Sequence, residues 1–309
     1  MIRALLLSLA LLASAEAAPP TEPLEAASGT YGYAMIKLPG GRFIMAQHEG
    51  AAEEPEQAVV VGSFWVGKTE VTQGLYERVM GTNPSITEFR DDVRIGLHPS
   101  MKESRSVGLI GDNLPVQNVG WLDAVAFANA LSALEGLSPA YRVSGNSVSW
   151  DHAASGYRLL TNAEWEYAAR AGASTTWAGT DEESGICRHG NVADAVGRET
   201  FTEWIVAACD DGYLGLAPVS SLQPNAWGVY DMAGNVSEWV WDRGEEYDDP
   251  GTDPEGPFRF YRDGCWSCAP AVAKFANHGY NGPSLRMDNL GFRLASSHPV
   301  GAAPASSAD

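Results

Sequence analysis

Residues 224–239 read Pro224-Asn-Ala-Trp-Gly-Val-Tyr-Asp-Met-Ala-Gly-Asn-Val-Ser-Glu-Trp239, and they say more about the fold than any other segment. Turn-favouring glycine, proline and asparagine alternate there with bulky apolar side chains, and only its end, from Val236, has the composition of a strand, which continues to Trp241. The whole chain has the same character, with 33 glycines, 18 prolines, 10 tryptophans and 11 tyrosines. This mixture predicts short strands and helices joined by much ordered loop and held together by aromatic packing.

Helix signals occur outside this stretch. Thr72 can cap a helix that runs to about residue 80 and stops at Gly81. Apolar residues at helical spacing predict a second helix over residues 121–134. Thr161 and Glu164 form a capping box, in which each side chain caps the other residue's backbone at the start of a third helix.

Strands are expected on both sides of the turn at residues 39–41, over the β-prone residues 58–66, and over residues 291–295. Strands and helices follow no repeating order along the chain. The sequence therefore predicts an α+β fold with a low content of regular secondary structure.

The first residues have the pattern of a secretory signal peptide. A basic start at Arg3 precedes an apolar run, and Ala15 and Ala17 provide the small residues that signal peptidase requires. An N-terminal membrane anchor is the alternative, but spanning needs about 20 apolar residues and this run is shorter. We expect residues 1–17 to be removed, with export to the periplasm or beyond and no membrane insertion after cleavage.

The remaining chain divides into three parts by composition. Residues 18–30 are rich in proline, glutamate, alanine and serine and are predicted to be a linker. Residues 31–298 contain no internal repeat and no linker-like break, which predicts one domain. Residues 299–309 are predicted to be a disordered tail.

The formal net charge is −19. Nucleic acids and anionic membranes require clustered lysine and arginine, so neither is an expected partner. The excess of carboxylates is compatible with calcium, which takes carboxylate and carbonyl oxygens, although solubility alone accounts for most of them.

Several segments resemble one family in their order along the chain. They are GGRFIM at 40–45, KTEVTQ at 68–73, LPVQNV at 114–119, YRLLTNAEWEYAARAG at 157–172, PNAWGVYDMAGNVSEW at 224–239 and NLGFRL at 289–294. Together they resemble the formylglycine-generating enzyme, or sulfatase-modifying factor, family. The resemblance implies a single compact domain related to C-type lectins, with structural calcium. The family's prototype converts a sulfatase cysteine into formylglycine, using oxygen and copper(I) held by two thiolates.

Two calcium sites carry over from the family by position. Their ligands would be Asn191, Val192, Asp211 and Tyr213 at the first site, and Asp231, Gly234, Val236 and Glu238 at the second. Carboxylate, amide and carbonyl oxygens suit calcium. The alternative is that the aspartates only cap turns. Asn235-Val-Ser237 also fits the N-glycosylation pattern, but it overlaps the second calcium loop and is not expected to be used.

Four cysteines permit three disulfide pairings, and the most local set joins Cys187 to Cys209 and Cys265 to Cys268. Cys187 and Cys209 flank the first calcium loop. A disulfide between them would contribute about 3 kcal/mol by restricting the unfolded chain. Buried free thiols are the alternative, and they are less common outside the cytoplasm.

Cys265 and Cys268 lie in the stretch Arg262-Asp-Gly-Cys-Trp-Ser-Cys-Ala-Pro270. The resemblance places Cys268 on the first copper-binding cysteine, Cys265 on a serine, and Ala273 on the second copper-binding cysteine. In a strand, the side chains of Cys265 and Cys268 would face opposite sides, whereas a turn would bring them together. A local disulfide, a copper(I) or redox site, and free thiols are the alternatives.

These features give three hypotheses for function. The first is an exported oxidase of the formylglycine-generating type, which uses Cys268 and Cys265 on a cysteine of a partner polypeptide such as a sulfatase. The second is a calcium-stabilised, lectin-like binding module without catalysis. The third is a different oxidation on the same fold, of the kind used in siderophore maturation. A fold alone does not decide among them.

Overall fold

The computed structural model describes residues 24–46, 57–85, 108–145, 147–243, 258–262 and 264–300. The predicted signal peptide and residues 301–309 of the predicted tail lie outside them. Within the described part, the strands in chain order are β1 (Ala26–Ser28), β2 (Ala34–Leu38), β3 (Gly41–Met45), β4 (Gln57–Val61), β5 (Phe64–Gly67), β6 (Tyr141–Ser144), β7 (Ser147–Trp150), β8 (Tyr157–Leu159), β9 (Ser237–Arg243), β10 (Arg259–Arg262), β11 (His278–Asn281), β12 (Leu290–Gly291) and β13 (Leu294–Ser296). The α-helices are α1 (Gln73–Met80), α2 (Trp121–Leu134), α3 (Asn162–Arg170) and α4 (Ala195–Thr200).

The strands form two main sheets and two hairpins. One sheet has five strands in the order β1-β2-β5-β13-β8, and its neighbours are all antiparallel. The other has four strands in the order β11-β10-β9-β12, and its β12–β9 pair is parallel. The pairs β3–β4 and β6–β7 form separate two-stranded hairpins. The predicted α+β class with short elements is confirmed.

Local capping determines where the helices begin. The Thr72 hydroxyl accepts a hydrogen bond from the N–H of Leu75 at 3.2 Å, and Gly81 ends α1 in the left-handed region, with φ of 77°. At α3, the Glu164 carboxylate accepts from the N–H of Thr161 at 2.9 Å, and the N–H of Glu164 donates to the Thr161 hydroxyl at 3.1 Å. The predicted helix caps at both helices are confirmed.

The predicted strand over residues 58–66 is two strands, because the chain bends at Gly62 and Ser63. Strand β4 pairs with β3, whereas β5 enters the middle of the five-stranded sheet. The predicted strand over residues 291–295 is also divided, since β12 and β13 belong to different sheets. Phe292 and Arg293 lie at this crossing and are both fully buried.

Residues just outside the predicted domain take part in its packing at both ends. Residues 26–28 of the predicted linker form β1, which pairs with β2 at the edge of the five-stranded sheet. At the other end, Val300 of the predicted tail is 3% exposed and belongs to the main apolar core. Alanine-rich and serine-rich composition carries no signal for either packing event, because both depend on distant segments.

Aromatic side chains fill the core, as the composition predicts. Tyr76 stacks on Phe127 at a centroid distance of 5.2 Å, and the Trp121 indole donates to the carbonyl of Val240 at 2.8 Å, which fixes α2 against β9. A smaller apolar cluster around Trp204 and Trp266 lies beside the segment that follows β10. None of the helices in the described residues is long and apolar enough to cross a membrane.

Candidate functional site

Cys265 and Cys268 lie in a tight turn shortly after β10. The N–H of Cys268 donates to the carbonyl of Cys265 at 2.9 Å, and the two sulfur atoms form a disulfide. The turn brings together side chains that a strand would point to opposite faces. Among the alternatives left open by the sequence, the structure shows the local disulfide. Bonded sulfurs offer no thiolate, so the copper(I) prediction concerns only the reduced pair.

The two sulfurs differ in their surroundings. Cys265 is 0% exposed, whereas Cys268 is partly exposed at the surface of the turn. Trp266, between them, is 2% exposed and its ring lies 5.8 Å from that of Trp204. Of the two bonded cysteines, Cys268 is therefore the one that reaches the protein surface.

Ala273 belongs to the 3-10 helix Pro270–Ala273 that follows the turn. Its methyl group packs closely against Gly264. A methyl group in place of a Gly264 hydrogen would lie only 3.1 Å from the Ala273 methyl group. The Trp177 indole holds this short helix by donating to the carbonyl of Pro270 at 2.8 Å. The position that the resemblance assigns to the second copper thiolate is therefore a close-packed methyl group without a ligand atom.

Asn289, which the sequence reasoning did not assign to the site, contacts the buried sulfur. Its side-chain N–H donates to Cys265 Sγ at 3.2 Å, and the Ser267 hydroxyl lies 3.4 Å from the same sulfur. Next to Asn289, burial raises the pKa of Asp288 to about 6. The only sequence signal for this contact was that Asn289 begins the segment NLGFRL.

The structure brings Val192, Asp211 and Tyr213 of the first predicted calcium loop together. A disulfide joins Cys187 to Cys209. The Asp211 carboxylate accepts hydrogen bonds from the N–H groups of Val192 and Tyr213 at 3.0 and 2.9 Å. The side-chain oxygen of Asn191 is buried and has no hydrogen-bond partner. A buried amide oxygen without a hydrogen-bond partner is the kind of donor that a hard cation such as calcium takes.

Asp194 adds negative charge to this loop. Its carboxylate accepts from the N–H of Asp211 at 2.7 Å, and ligand atoms of Cys187, Asp194 and Asp211 lie within 4.8 Å of one another. Burial, together with the charge of Asp194, raises the pKa of Asp211 to about 7. The loop thus brings two buried carboxylates close together.

The second predicted calcium site is only partly assembled. The Glu238 carboxylate, predicted as a ligand, instead accepts from Arg293 at 2.6 Å and from the Trp165 indole at 2.8 Å, which makes it one half of a buried ion pair. Asp231, also predicted as a ligand, and the fully buried Glu70 each keep one buried oxygen that no N–H group or hydroxyl group donates to, and the two carboxyl groups interact with each other. Burial and the charge of Asp231 raise the pKa of Glu70 well above its ordinary value. These unpaired oxygens fit a cation at Asp231 and Glu70 better than at Glu238.

Gly234 and Val236, the other predicted ligands of this site, flank Asn235. Asn235 connects the two predicted calcium loops with the Cys265–Cys268 turn. The Asn235 side chain accepts from the side chain of Asn191 at 3.1 Å and donates to Glu70 at 3.1 Å. Its carbonyl accepts from the N–H of Trp266 at 2.9 Å, within the turn of the disulfide. The carbonyl of Cys268 in turn accepts from the N–H of Ala193 at 3.0 Å. Both predicted calcium loops are therefore hydrogen-bonded, directly or through Asn235, to the Cys265–Cys268 turn.

The chain matches the family model described as "Sulfatase-modifying factor enzyme 1-like domain" over residues 21–298. It belongs to this family. The sulfatase-modifying-factor match spans almost the whole described structure, so the predicted family and the single domain of that fold are both confirmed.

Two relatives in the sulfatase-modifying-factor family have different names, although each is similarly identical to this chain. The chain is 29% identical to "Chaperone protein LppX" of Paenibacillus barcinonensis over 79% of this chain and 82% of that protein. It is 28% identical to the formylglycine-generating enzyme of Streptomyces coelicolor over 92% of this chain and 96% of that protein.

Solved structures give the same family fold. "Treponema denticola variable protein 1" aligns with a TM-score of 0.68 at 26% identity, covering 90% of this chain and 100% of that chain. PvdO from Pseudomonas aeruginosa aligns with a TM-score of 0.63 at 25% identity, with the same coverage of both chains. Membership of the sulfatase-modifying-factor family is thus clear, whereas the reaction depends on the residues of the site.

Proposed function

We propose that this protein is an exported oxidoreductase of the sulfatase-modifying-factor family that acts on cysteine side chains of a partner polypeptide through Cys265 and Cys268. The observation that carries this proposal is a disulfide that includes Cys268, the partly exposed residue that the resemblance places on the family's first copper-binding cysteine. The signal-peptide pattern of residues 1–17 supports export, and a second disulfide is typical of an oxidising compartment.

Copper(I) would bind only to the reduced pair. Thiolates are the ligands that this soft ion prefers, and Cys265 and Cys268 are the sulfur donors of the turn, since Ala273 offers none. When bound, copper(I) would supply the activation of oxygen that the resemblance implies. Titration of the reduced protein should give tight binding that Cys268→Ser removes, and binding that Cys268→Ser leaves unchanged would contradict the copper proposal.

Calcium is proposed as a structural ion. At the first site it would be held by Asn191, Asp211 and backbone oxygens of Val192 and Tyr213. A second ion would be held at Asp231 with Glu70. The hydrogen bond from Ala193 to Cys268 gives the first site a role in holding the reactive turn in place.

The test of the proposed function uses a peptide with a single cysteine, its sequence taken from an exported polypeptide. The peptide is incubated with the protein in air, with and without copper(I), and mass spectrometry follows oxidation, mixed-disulfide formation or loss of sulfur at its cysteine. We expect a change with the parent protein and none with Cys268→Ser. Equal behaviour of the two proteins in both arms would refute the proposal.

A binding module without catalysis is the second candidate. The missing donor at Ala273 favours it, and one relative is named as a chaperone. In this case, the protein would retain the peptide without changing its cysteine, and the same assay separates the two functions.

A further inference from the structure

We propose that the Cys265–Cys268 disulfide is a thiol–disulfide exchange centre, which directly oxidises two cysteines of a polypeptide to a disulfide. This inference rests on the proposed function and deepens it, because it names the substrate class and gives each sulfur a role. Cys268 is the sulfur that the substrate attacks, Cys265 is the leaving thiolate, and Asn289 is the positioning residue that stabilises it.

Access decides which sulfur is attacked. An incoming thiolate must approach a disulfide sulfur from outside the protein. Cys265 is 0% exposed, whereas Cys268 is partly exposed. Substrate attack is therefore directed to Cys268.

Hydrogen bonding decides which sulfur leaves. The Asn289 side chain donates to Cys265 Sγ at 3.2 Å, and the Ser267 hydroxyl lies 3.4 Å from it. A donor already aimed at a sulfur stabilises the negative charge that forms when the S–S bond breaks. Release of the Cys265 thiolate is thus favoured at the buried end of the bond.

The reaction balances without another reagent. A substrate thiolate attacks Cys268, the Cys265–Cys268 bond breaks, and a mixed disulfide forms between the substrate and Cys268 while Cys265 leaves as a thiolate. The second substrate thiolate then attacks the substrate sulfur of this mixed disulfide and releases the Cys268 thiolate. Two substrate thiols lose two electrons and two protons, and the protein gains a dithiol. Ala273 takes no part, so its lack of sulfur is no obstacle.

The experiment mixes the oxidised full-length protein with a reduced peptide containing two cysteines, without oxygen and with a copper(I) chelator. We expect each protein molecule to yield one peptide disulfide, with new alkylatable thiols at Cys265 and Cys268 but not at Cys187 and Cys209. Thiols formed equally at both pairs, or at neither, would overturn the exchange proposal.

Single-cysteine variants test the roles of the two sulfurs. With a peptide activated as a mixed disulfide with a thionitrobenzoate group, Cys265→Ser should react through Cys268 at least about tenfold faster than Cys268→Ser reacts through the buried Cys265. Equal rates would overturn the assignment of the attacked sulfur.

Asn289→Ala tests whether Asn289 stabilises the leaving thiolate. The measurement is the reduction potential of the Cys265–Cys268 pair, which would not change if Asn289 had a purely structural role. Loss of a charge-assisted hydrogen bond should make reduction of the pair about tenfold less favourable, which lowers its reduction potential by about 30 mV. An unchanged potential in a folded variant would remove Asn289 from the mechanism.

If the peptide is oxidised only with oxygen and copper(I), direct exchange is refuted and the proposed function stands. If Cys268→Ser matches the parent under every condition, both fail.

Discussion

Cys187 and Cys209 are separated by 22 positions, whereas Cys265 and Cys268 are separated by 3. Cys187 lies beside the carboxylates of Asp194 and Asp211, so a thiolate there would be repelled by like charge. At Cys265 the neighbours are donors from Asn289 and Ser267. The two disulfides of this chain thus differ in the charge and the hydrogen-bond donors around their sulfur atoms.

Cys268→Ser should separate the two disulfides most strongly, because it should have the largest effect on peptide oxidation. We expect it to reduce oxidation of a cysteine peptide to the rate of the protein-free control, because the accessible sulfur is lost. Paired replacement of Cys187 and Cys209 by serine serves as the control and should retain oxidation wherever the protein is folded. Loss of activity from the control alone would reverse the two roles.

The Asp211 carboxyl tests the electrostatic part of the comparison. Its pKa is about 7 in the folded chain, compared with about 3.9 in an unfolded one. Because the folded state binds this proton more tightly, the stability of the calcium-free protein should fall as the pH rises from about 4 to about 7, and then level off.

Asp211→Asn should remove that dependence, and above about pH 7 it should exceed the parent in stability by on the order of 4 kcal/mol at most. Urea unfolding of both proteins in a chelator, across this pH range, gives the measurement. Parallel stability curves would show that Asp211 is not held in its protonated form.

The two disulfides should also differ in how much each one stabilises the folded protein. Replacing both Cys187 and Cys209 by serine should cost about 3 kcal/mol, because a long loop is released in the unfolded chain. Replacing Cys265 and Cys268 in the same way should cost only about 1.5 kcal/mol. Denaturant midpoints of the two paired variants measure the difference, and a larger loss at the 265–268 pair would contradict it.

Calcium should stabilise the Cys187–Cys209 loop and, through Ala193, the turn of Cys268. At a free calcium concentration about 100-fold above the dissociation constant, the gain would be about 2.7 kcal/mol. Chelation should therefore lower the melting temperature and speed alkylation at residue 268 in the Cys265→Ser variant. An unchanged melting temperature would count against both proposed sites.

The sequence predicted features that depend on neighbouring residues. Thr72 with Gly81, and Thr161 with Glu164, define helix ends by local hydrogen bonds, and the structure confirms them. Strand β1 and the separation of β12 from β13 were missed. Strand pairing depends on partners far along the chain, and a short alanine-rich segment gives no local sign of its partner.

The same limit applies to the site. The resemblance located Cys268, Asp211 and Asp231, but it did not show Asn289 donating to Cys265 from 24 positions away or Glu70 facing Asp231. It also assigned to calcium a glutamate, Glu238, that pairs with Arg293. Whether residues 265–268 formed a turn or a strand could not be read locally, since the bond from Trp266 to the distant Asn235 helps to hold the turn.

Asn235 has a practical consequence for producing the protein. It begins the glycosylation pattern Asn235-Val-Ser237, yet its side chain is 0% exposed and its amide nitrogen donates to Glu70 and to the carbonyl of Ala217. A glycan on that nitrogen cannot fit in the folded chain. A host that glycosylates chains as they enter its secretory pathway would therefore divert them from folding, and Ser237→Ala is the change that would protect the yield there.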